Sequence, residues 1–367
     1  MSLFAAALLL ASCSDDAKPS DAGKDVTVSE AGTDGGSDAG LDVSLPDYGP
    51  DAPTSRCSIE TLAPLKLDEG AYCVAYRLEL PAVPTAFAVR GGSVYTFGET
   101  STAKTFEVSE QTFDIKSGIL ASPIPFYTFA VTSSEALFGS MFLALSPGGK
   151  IASGYNTSSP TNPTGKVYIA SHGGTPSETQ ADGNFDAAFV DDTTLLVNGS
   201  AAGTLSGQGV YVIVDGKAPA LLIKDIGDFS GPVVVTKDIV YAGGYFSGAN
   251  EGRMYAFTLA EIKAAIAGGT QLVASDGDLA FSGNQLGAAG LDGDLAVARA
   301  DSSFAFTAVS RYSATVNGDA VSIGSASDII TAGSAGMFGN IESDGASLVV
   351  QFTDADSKPV LAIVDKK

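Results

Sequence analysis

One unit recurs about six times between Thr85 and the C-terminus, and it restricts the chain to very few folds. Its clearest copy is GPVVVTKDIVYAGGYFSGANEGRMYAF, from Gly231 to Phe257. A short apolar run (Pro232 to Val235) meets a tight turn at Thr236-Lys237-Asp238. An alternating strand follows (Ile239 to Ala242), then Gly243-Gly244, a polar loop and another strand (Met254 to Phe257). The other copies begin near Ala86, Leu143, Ala187, Ala288 and Gly339. Their turns fall at Gly91-Gly92, Gly148-Gly149, Asp191-Asp192, Asp292-Gly293 and Asp344-Gly345, residue types that tolerate the φ values of hairpin turns. A second strand follows each, at Lys104, Lys166, Gly209, Arg253, Phe304 and Pro359. Turn-to-turn spacing of roughly 44 to 57 residues is close to a four-stranded propeller blade.

The expected fold is therefore all-β, a six-bladed β-propeller spanning residues 57–367. Seven blades result if Phe126 to Phe142 hides a degenerate copy. The sixth copy stops after its third strand at Lys367, which would leave an exposed sheet edge. Tyr72 to Leu80 (YCVAYRLEL) alternates like a strand and can supply the missing fourth strand, closing the ring. One helix is expected at Leu259 to Ala267, between the third and fourth strands of the fourth blade. Leu259, Ile262 and Ile266 share one face, and Gly268-Gly269 ends it.

The 42 acidic residues outnumber the 20 basic ones, giving a net charge of −22. Neutralising phosphates needs clustered Lys and Arg, so nucleic acid is excluded as a partner. The N-terminus sets the rest of the organisation. An apolar run, MSLFAAALLLAS, ends at Cys13, and Leu10-Ala11-Ser12-Cys13 resembles a bacterial lipobox. No Lys or Arg precedes the run, a departure from the usual signal-peptide layout. The resemblance implies a signal peptide over 1–12, lipidation of Cys13 and a membrane anchor instead of a span. With Ser14 after the cysteine, it implies an outer-membrane lipoprotein of the bacterial envelope, facing the periplasm or the cell surface. Residues 13–56 are rich in Asp, Ala, Gly, Ser and Pro and almost free of large apolar side chains, so they read as a disordered acidic tether. The remaining cysteines, Cys57 and Cys73, read as a disulfide where tether meets domain.

The fourth copy resembles a kelch repeat through Val240-Tyr241, Gly243-Gly244-Tyr245 and Tyr255, although the Trp of that pattern is absent. Propellers host many activities, so this resemblance implies the fold alone. Catalytic chemistry is hard to find in the sequence. The single histidine, His172, lies in a polar loop (SHGGTPSETQ) and reads as a surface residue. One His and a bridged Cys pair cannot hold zinc, and there is no G-x-S-x-G elbow and no Walker A sequence. Carboxylates are the only plentiful reactive groups. Asp276/Asp278, Asp292/Asp294 and Asp354/Asp356 pair acids at calcium-like spacing, but none continues into a full calcium loop, so turn chemistry is the expectation. Sialidase boxes and the blades of quinoprotein dehydrogenases both need Trp, which the chain lacks. Lactonases of this fold place Glu, Asn and Asp around a central Ca²⁺, with ligands too scattered to trace in one sequence.

The function expected from these features is a monomeric, envelope-anchored module that binds a protein or glycan partner and uses no cofactor. The alternative is a calcium-dependent hydrolase or lactonase with carboxylates in the central channel. Side chains on the channel axis discriminate between them.

Overall fold

The computed structural model describes residues 57, 62–114, 119–131, 142–157, 164–200, 208–215, 217–274, 279–333 and 338–367. Lipidation of Cys13, the tether and the Asp276/Asp278 pair lie outside these residues. The turns that punctuate the repeat form as the sequence requires. Gly91 and Gly92 have φ of 57° and 84°, and Asp292 and Gly293 have 51° and 85°, the left-handed pair of a two-residue hairpin. Two turns sit one residue later than expected, at Asp192-Thr193 and Gly345-Ala346, because Asp191 and Asp344 still pair within their strands.

Each copy is a four-stranded antiparallel sheet, and the described residues build six of them. Blade 1 runs Ala86–Arg90, Ser93–Glu99, Thr105–Thr112, Ile124–Ala130. Blade 2 runs Leu143–Leu145, Ile151–Asn156, Gly165–Ala170, Ser177–Gln180. Blade 3 runs Asp186–Asp191, Thr194–Ser200, Gln208–Val214, Ala220–Lys224. Blade 4 runs Phe229–Val235, Ile239–Phe246, Glu251–Thr258, Leu279–Ser282. Blade 5 runs Asn284–Leu291, Asp294–Ala300, Phe306–Asn317, Ala320–Thr331. Blade 6 takes Phe338–Asp344, Ser347–Thr353 and Pro359–Lys366, and its fourth strand is Tyr72–Glu79. That closing strand pairs antiparallel from Tyr72↔Lys366 to Glu79↔Val360. The first strands of successive blades touch in cyclic order, blade 6 meeting blade 1. Phe126 belongs to the outer strand of blade 1 and starts no seventh copy.

Each sheet is buried on both faces, which is why the strands read as nearly continuous apolar runs. In Ile239–Phe246 the period of two sends Val240 and Ala242 to the blade 3–4 interface and Ile239 and Tyr241 to the blade 4–5 interface. Six separate apolar clusters result, one in each wedge between neighbouring blades. Amide side chains tie the wedges together. Asn198 Nδ2 of blade 3 donates to the Gly243 carbonyl of blade 4 at 2.8 Å, and Gln285 Nε2 of blade 5 donates to the Gly244 carbonyl at 2.9 Å. The buried oxygens of Asn156 and Gln285 have no conventional hydrogen-bond partner among the described residues. Each lies instead where a neighbouring glycine leaves room for it. A Cβ at Gly165 would lie 2.3 Å from Asn156 Oδ1, and one at Gly252 would lie 2.4 Å from Gln285 Oε1. Only glycine fits there.

Helix Leu259–Gly268 starts on an N-cap, with Thr258 Oγ1 accepting from Glu261 N at 3.1 Å, and stops at Gly269 with φ 62°. It follows the third strand of blade 4 in the chain but packs Ile262 and Ala265 into the blade 3–4 wedge. The chain then adds Leu272–Val273 as a parallel fifth strand on blade 3. Lys66–Leu67 similarly extends blade 5, so the N-terminal segment ties down two neighbouring blades. Among the described residues no helix is long and apolar enough to cross a membrane.

The Cys57–Cys73 disulfide forms, with Cα atoms 5.3 Å apart and 16 residues of separation. It tethers the closing strand at its second residue. Closing a loop of that size removes about 3 kcal/mol of chain entropy from the unfolded state. Reduction of the bridge is expected to lower unfolding free energy by about that amount, read by urea denaturation with and without reductant. Unchanged stability would mean that the closing strand holds without it.

Candidate active site in the central channel

Six first strands converge on the axis, and space there admits mainly small side chains such as Ala88, Ala187, Ala288 and Ala289. Two cavities follow one another along the channel. One of ≈280 Å³ opens at the hairpins that end the first strands, and one of ≈300 Å³ opens where those strands begin. Leu143, Asp186, Ala288 and Glu342 line both and so mark the waist. Two of these four are acids, and they come from blades 3 and 6, opposite each other in a ring of six.

Asp186 opens the first strand of blade 3. The first strand of a blade presents a free backbone edge to the channel, and its N–H groups need acceptors. Asp186 Oδ2 accepts from Val233 N of blade 4 at 2.9 Å, and Oδ1 accepts from Ala187 N at 2.8 Å. These bonds fix the carboxyl and favour its charge, yet burial outweighs them and pushes its pKa up to about 7. The Glu342 carboxyl makes no hydrogen bond or ion pair among the described residues. Burial holds it well above the ordinary carboxylate range, and the charge of Asp186 adds to the effect. Both carboxyls keep some contact with the channel. The pair has one rigid member that ionises near neutrality and one unpartnered member whose carboxyl burial also holds in the protonated form beyond the ordinary range. Divergent environments of this kind separate a general base from a general acid.

The two ends of the channel differ. At the hairpin end, Arg90 donates to the carbonyls of Leu145 and Ser146, Asp344 Oδ1 accepts from Gly91 N at 3.3 Å, and Asp192 accepts from Gly148 N. These contacts lace blades 6, 1, 2 and 3 together. Burial lowers the Arg90 pKa, with Asp344 and Asp192 opposing it. At the strand-start end the wall carries Pro84, Phe142, Phe185, Pro232 and Leu286, with Asn340 and Gln351 on the blade 6 side.

The acids singled out by sequence are engaged elsewhere. Asp292 lies in its hairpin, and Asp294 accepts from Arg311 Nε at 2.6 Å and from Ala314 N. Asp354 accepts from the N–H groups of Asp356 and Lys358 and pairs with Arg77, so it is a turn residue. His172 is exposed in a turn, with its ring edge-on to Phe126 at 5.0 Å. None of these meets the channel pair. The sequence reading missed Asp186 and Glu342 as site residues, though one signal existed. Counted back three residues from the turns as the structure places them, Glu342 stands where other copies carry Ala88, Leu145, Phe189, Val234 and Ala289.

Calcium takes six to eight oxygen ligands. Here two carboxyls face the waist, and both oxygens of one already accept N–H bonds. The amide oxygen of nearby Asn340 is likewise taken, by Ile341 N. Among the described residues no three His, Cys, Asp or Glu side chains gather where they could hold a metal ion. This donor set does not fit a calcium cage.

No protein-family model matches the chain, and no curated protein matches it in sequence. Solved structures share its fold at low similarity. A glucose dehydrogenase is 9% identical with a TM-score of 0.48, over 78% of this chain and 98% of that one. A gluconolactonase from Xanthomonas campestris is 11% identical with a TM-score of 0.42, over 81% and 91%. A prolyl endopeptidase is 12% identical with a TM-score of 0.45, over 80% and 40%. Likeness at this level carries no argument about activity. What the chain itself presents is a six-bladed β-propeller with two opposed carboxyls at the waist of its channel.

Proposed function

We propose that the protein is a hydrolase of small esters or lactones, with Asp186 and Glu342 as its acid–base pair. The observation that carries this reading is the convergence of two carboxyls from opposite blades on one cavity. A purely apolar channel would have favoured the interaction-module reading; the acids favour the alternative. Ionised Asp186, held by two backbone N–H groups, takes a proton from water as the water oxygen bonds to the substrate carbonyl carbon. Protonated Glu342 donates a hydrogen bond to the carbonyl oxygen as that oxygen gains charge. The acyl C–O bond then breaks and the leaving oxygen takes the proton from Asp186, giving an acid and an alcohol, which are one hydroxy acid when the substrate is a lactone. No step needs a metal.

Cavities of this size lie at the small end of the range for ligand sites. Lipidation at Cys13 and an envelope address complete the proposal, and Cys13→Ala is expected to release the protein from membranes. The test of the activity is a panel of lactones and aryl esters assayed with the full chain. Glu342→Gln and Asp186→Asn should each reduce turnover by roughly 10²- to 10⁴-fold. No hydrolysis across the panel, or full activity in both variants, would overturn the reading.

A further inference from the structure

The strand-start mouth deepens the hydrolase reading, on which this inference rests. We infer that Asn340 is a specificity residue: its Nδ2 donates to a hydroxyl oxygen that the substrate carries close to its scissile carbonyl, so the preferred lactones and esters are hydroxylated ones. A bulge between Phe338 and Ile341 sets Gly339 and Asn340 opposite the single residue Gln351. Bulges of this kind re-aim side chains beside active sites. Asn340 stands two residues before Glu342 on the first strand of blade 6, and both line the ≈300 Å³ cavity. Two residues of strand span roughly 6–7 Å, so a group bound at Asn340 lies only a few bonds from a carbonyl bound at Glu342.

The Asn340 carboxamide is held in place by its neighbours. Oδ1 accepts from Ile341 N at 2.8 Å, which leaves Nδ2 as the free end. Gly287 of blade 5 makes room for it, since a Cβ there would stand 1.9 Å from Oδ1. Nδ2 has no hydrogen-bond partner among the described residues, so a substrate oxygen meets a donor that needs little further ordering. Gln351 on the same wall is fixed in a similar way. Its Nε2 donates to the Pro84 carbonyl at 3.2 Å, and its Oε1 has no partner among the described residues. A hydroxyl both accepts and donates, so it suits a wall with a free donor and a free acceptor better than an ether or a carbonyl, which only accept. An unsubstituted lactone leaves both groups unpaired.

The experiment compares kcat/KM for γ-butyrolactone and its α- and β-hydroxy derivatives in wild type, Asn340→Asp and Gly287→Ala. Wild type should favour the better hydroxylated lactone roughly tenfold. Asn340→Asp keeps an acceptor for Ile341 N and removes the donor, whereas Gly287→Ala displaces the carboxamide without adding charge. Each should bring the ratio of the two substrates close to one, whatever it does to the absolute rate. In parallel, NMR titration with the γ-lactam of the same ring size and its α-hydroxy derivative reads binding without turnover. The Asn340 side-chain amide signal, identified by its loss in Asn340→Asp, should shift only with the hydroxylated lactam. A hydroxyl preference in both assays that both variants abolish supports the inference. Equal turnover of all three lactones, or a preference that survives in both variants, overturns it while leaving hydrolysis standing. Selective lactam binding that Asn340→Asp abolishes, with no turnover of any lactone, supports the hydroxyl subsite and removes the hydrolase reading. No turnover and no selectivity overturns both.

Discussion

Glu342→Gln makes the protein more stable than wild type at pH 8, and the difference disappears near pH 4. The direction follows from burial. Both channel acids have folded-state pKa values raised above their unfolded ones, Asp186 from 3.8 to about 7 and Glu342 well above 4.5. Below pH 3.8 both states hold the Asp186 proton, and its contribution is neutral. As pH rises the unfolded chain ionises first, so folding must retain protons that the unfolded state has released. Stability therefore falls between about pH 4 and pH 7, and for Asp186 alone the gap corresponds to about 4 kcal/mol as an upper bound. Above pH 7 Asp186 adds no further loss, and Glu342, raised in the same direction, contributes a loss of the same sign. A glutamine of the same shape carries no proton to lose, so Glu342→Gln removes that share. Asp186→Asn is less clean, because one of its two backbone N–H partners would face an amide NH₂ in place of an oxygen. Denaturant melts from pH 4 to pH 9 read the effect; parallel wild-type and Glu342→Gln curves would contradict it.

A chain that begins at Leu80 does not fold. It lacks the closing strand Tyr72–Glu79, which buries Tyr72, Val74, Ala75 and Leu78 against blades 1, 5 and 6. Burying a large apolar side chain contributes about 1.5–3 kcal/mol, so this loss alone approaches the whole stability of a typical domain, about 5–15 kcal/mol. It also bares the backbone edge of Pro359–Lys366, a template for aggregation. Tyr72 pairs with Lys366, so the strand can be moved behind Lys367 through a short Gly-containing turn. That rearranged chain is expected to fold, as read by size-exclusion chromatography and thermal melts. Failure of both chains would mean that the segment acts through more than closure, for example through Lys66–Leu67 on blade 5.

The blades were legible because each is one local unit, with turn residues and apolar strands in fixed order. Closure by Tyr72 to Leu80 was legible too, since a three-stranded last blade needs a partner. The parallel strand Leu272–Val273 and the Lys66–Leu67 extension were not, because two residues carry no periodicity. The amide–glycine contacts at Gly165 and Gly252 depend on neighbours distant in the chain, and no local pattern marks them. The site was hidden for a similar reason. Asp186 and Glu342 are 156 positions apart in sequence and meet only because six blades close a ring. The acid pairs that looked suggestive, Asp292/Asp294 and Asp354/Asp356, satisfy local turns and ion pairs.

The central claim is that Asp186 and Glu342 form one electrostatically linked pair with raised proton affinities. Carbon-detected NMR titration of their side-chain carboxyls tests it most directly, in wild type, Asp186→Asn and Glu342→Gln. The expected result is an Asp186 midpoint near 7 and a Glu342 midpoint well above its ordinary value, with the Glu342 midpoint dropping in Asp186→Asn. Two carboxyls titrating independently in the ordinary range of about 4 would contradict the account.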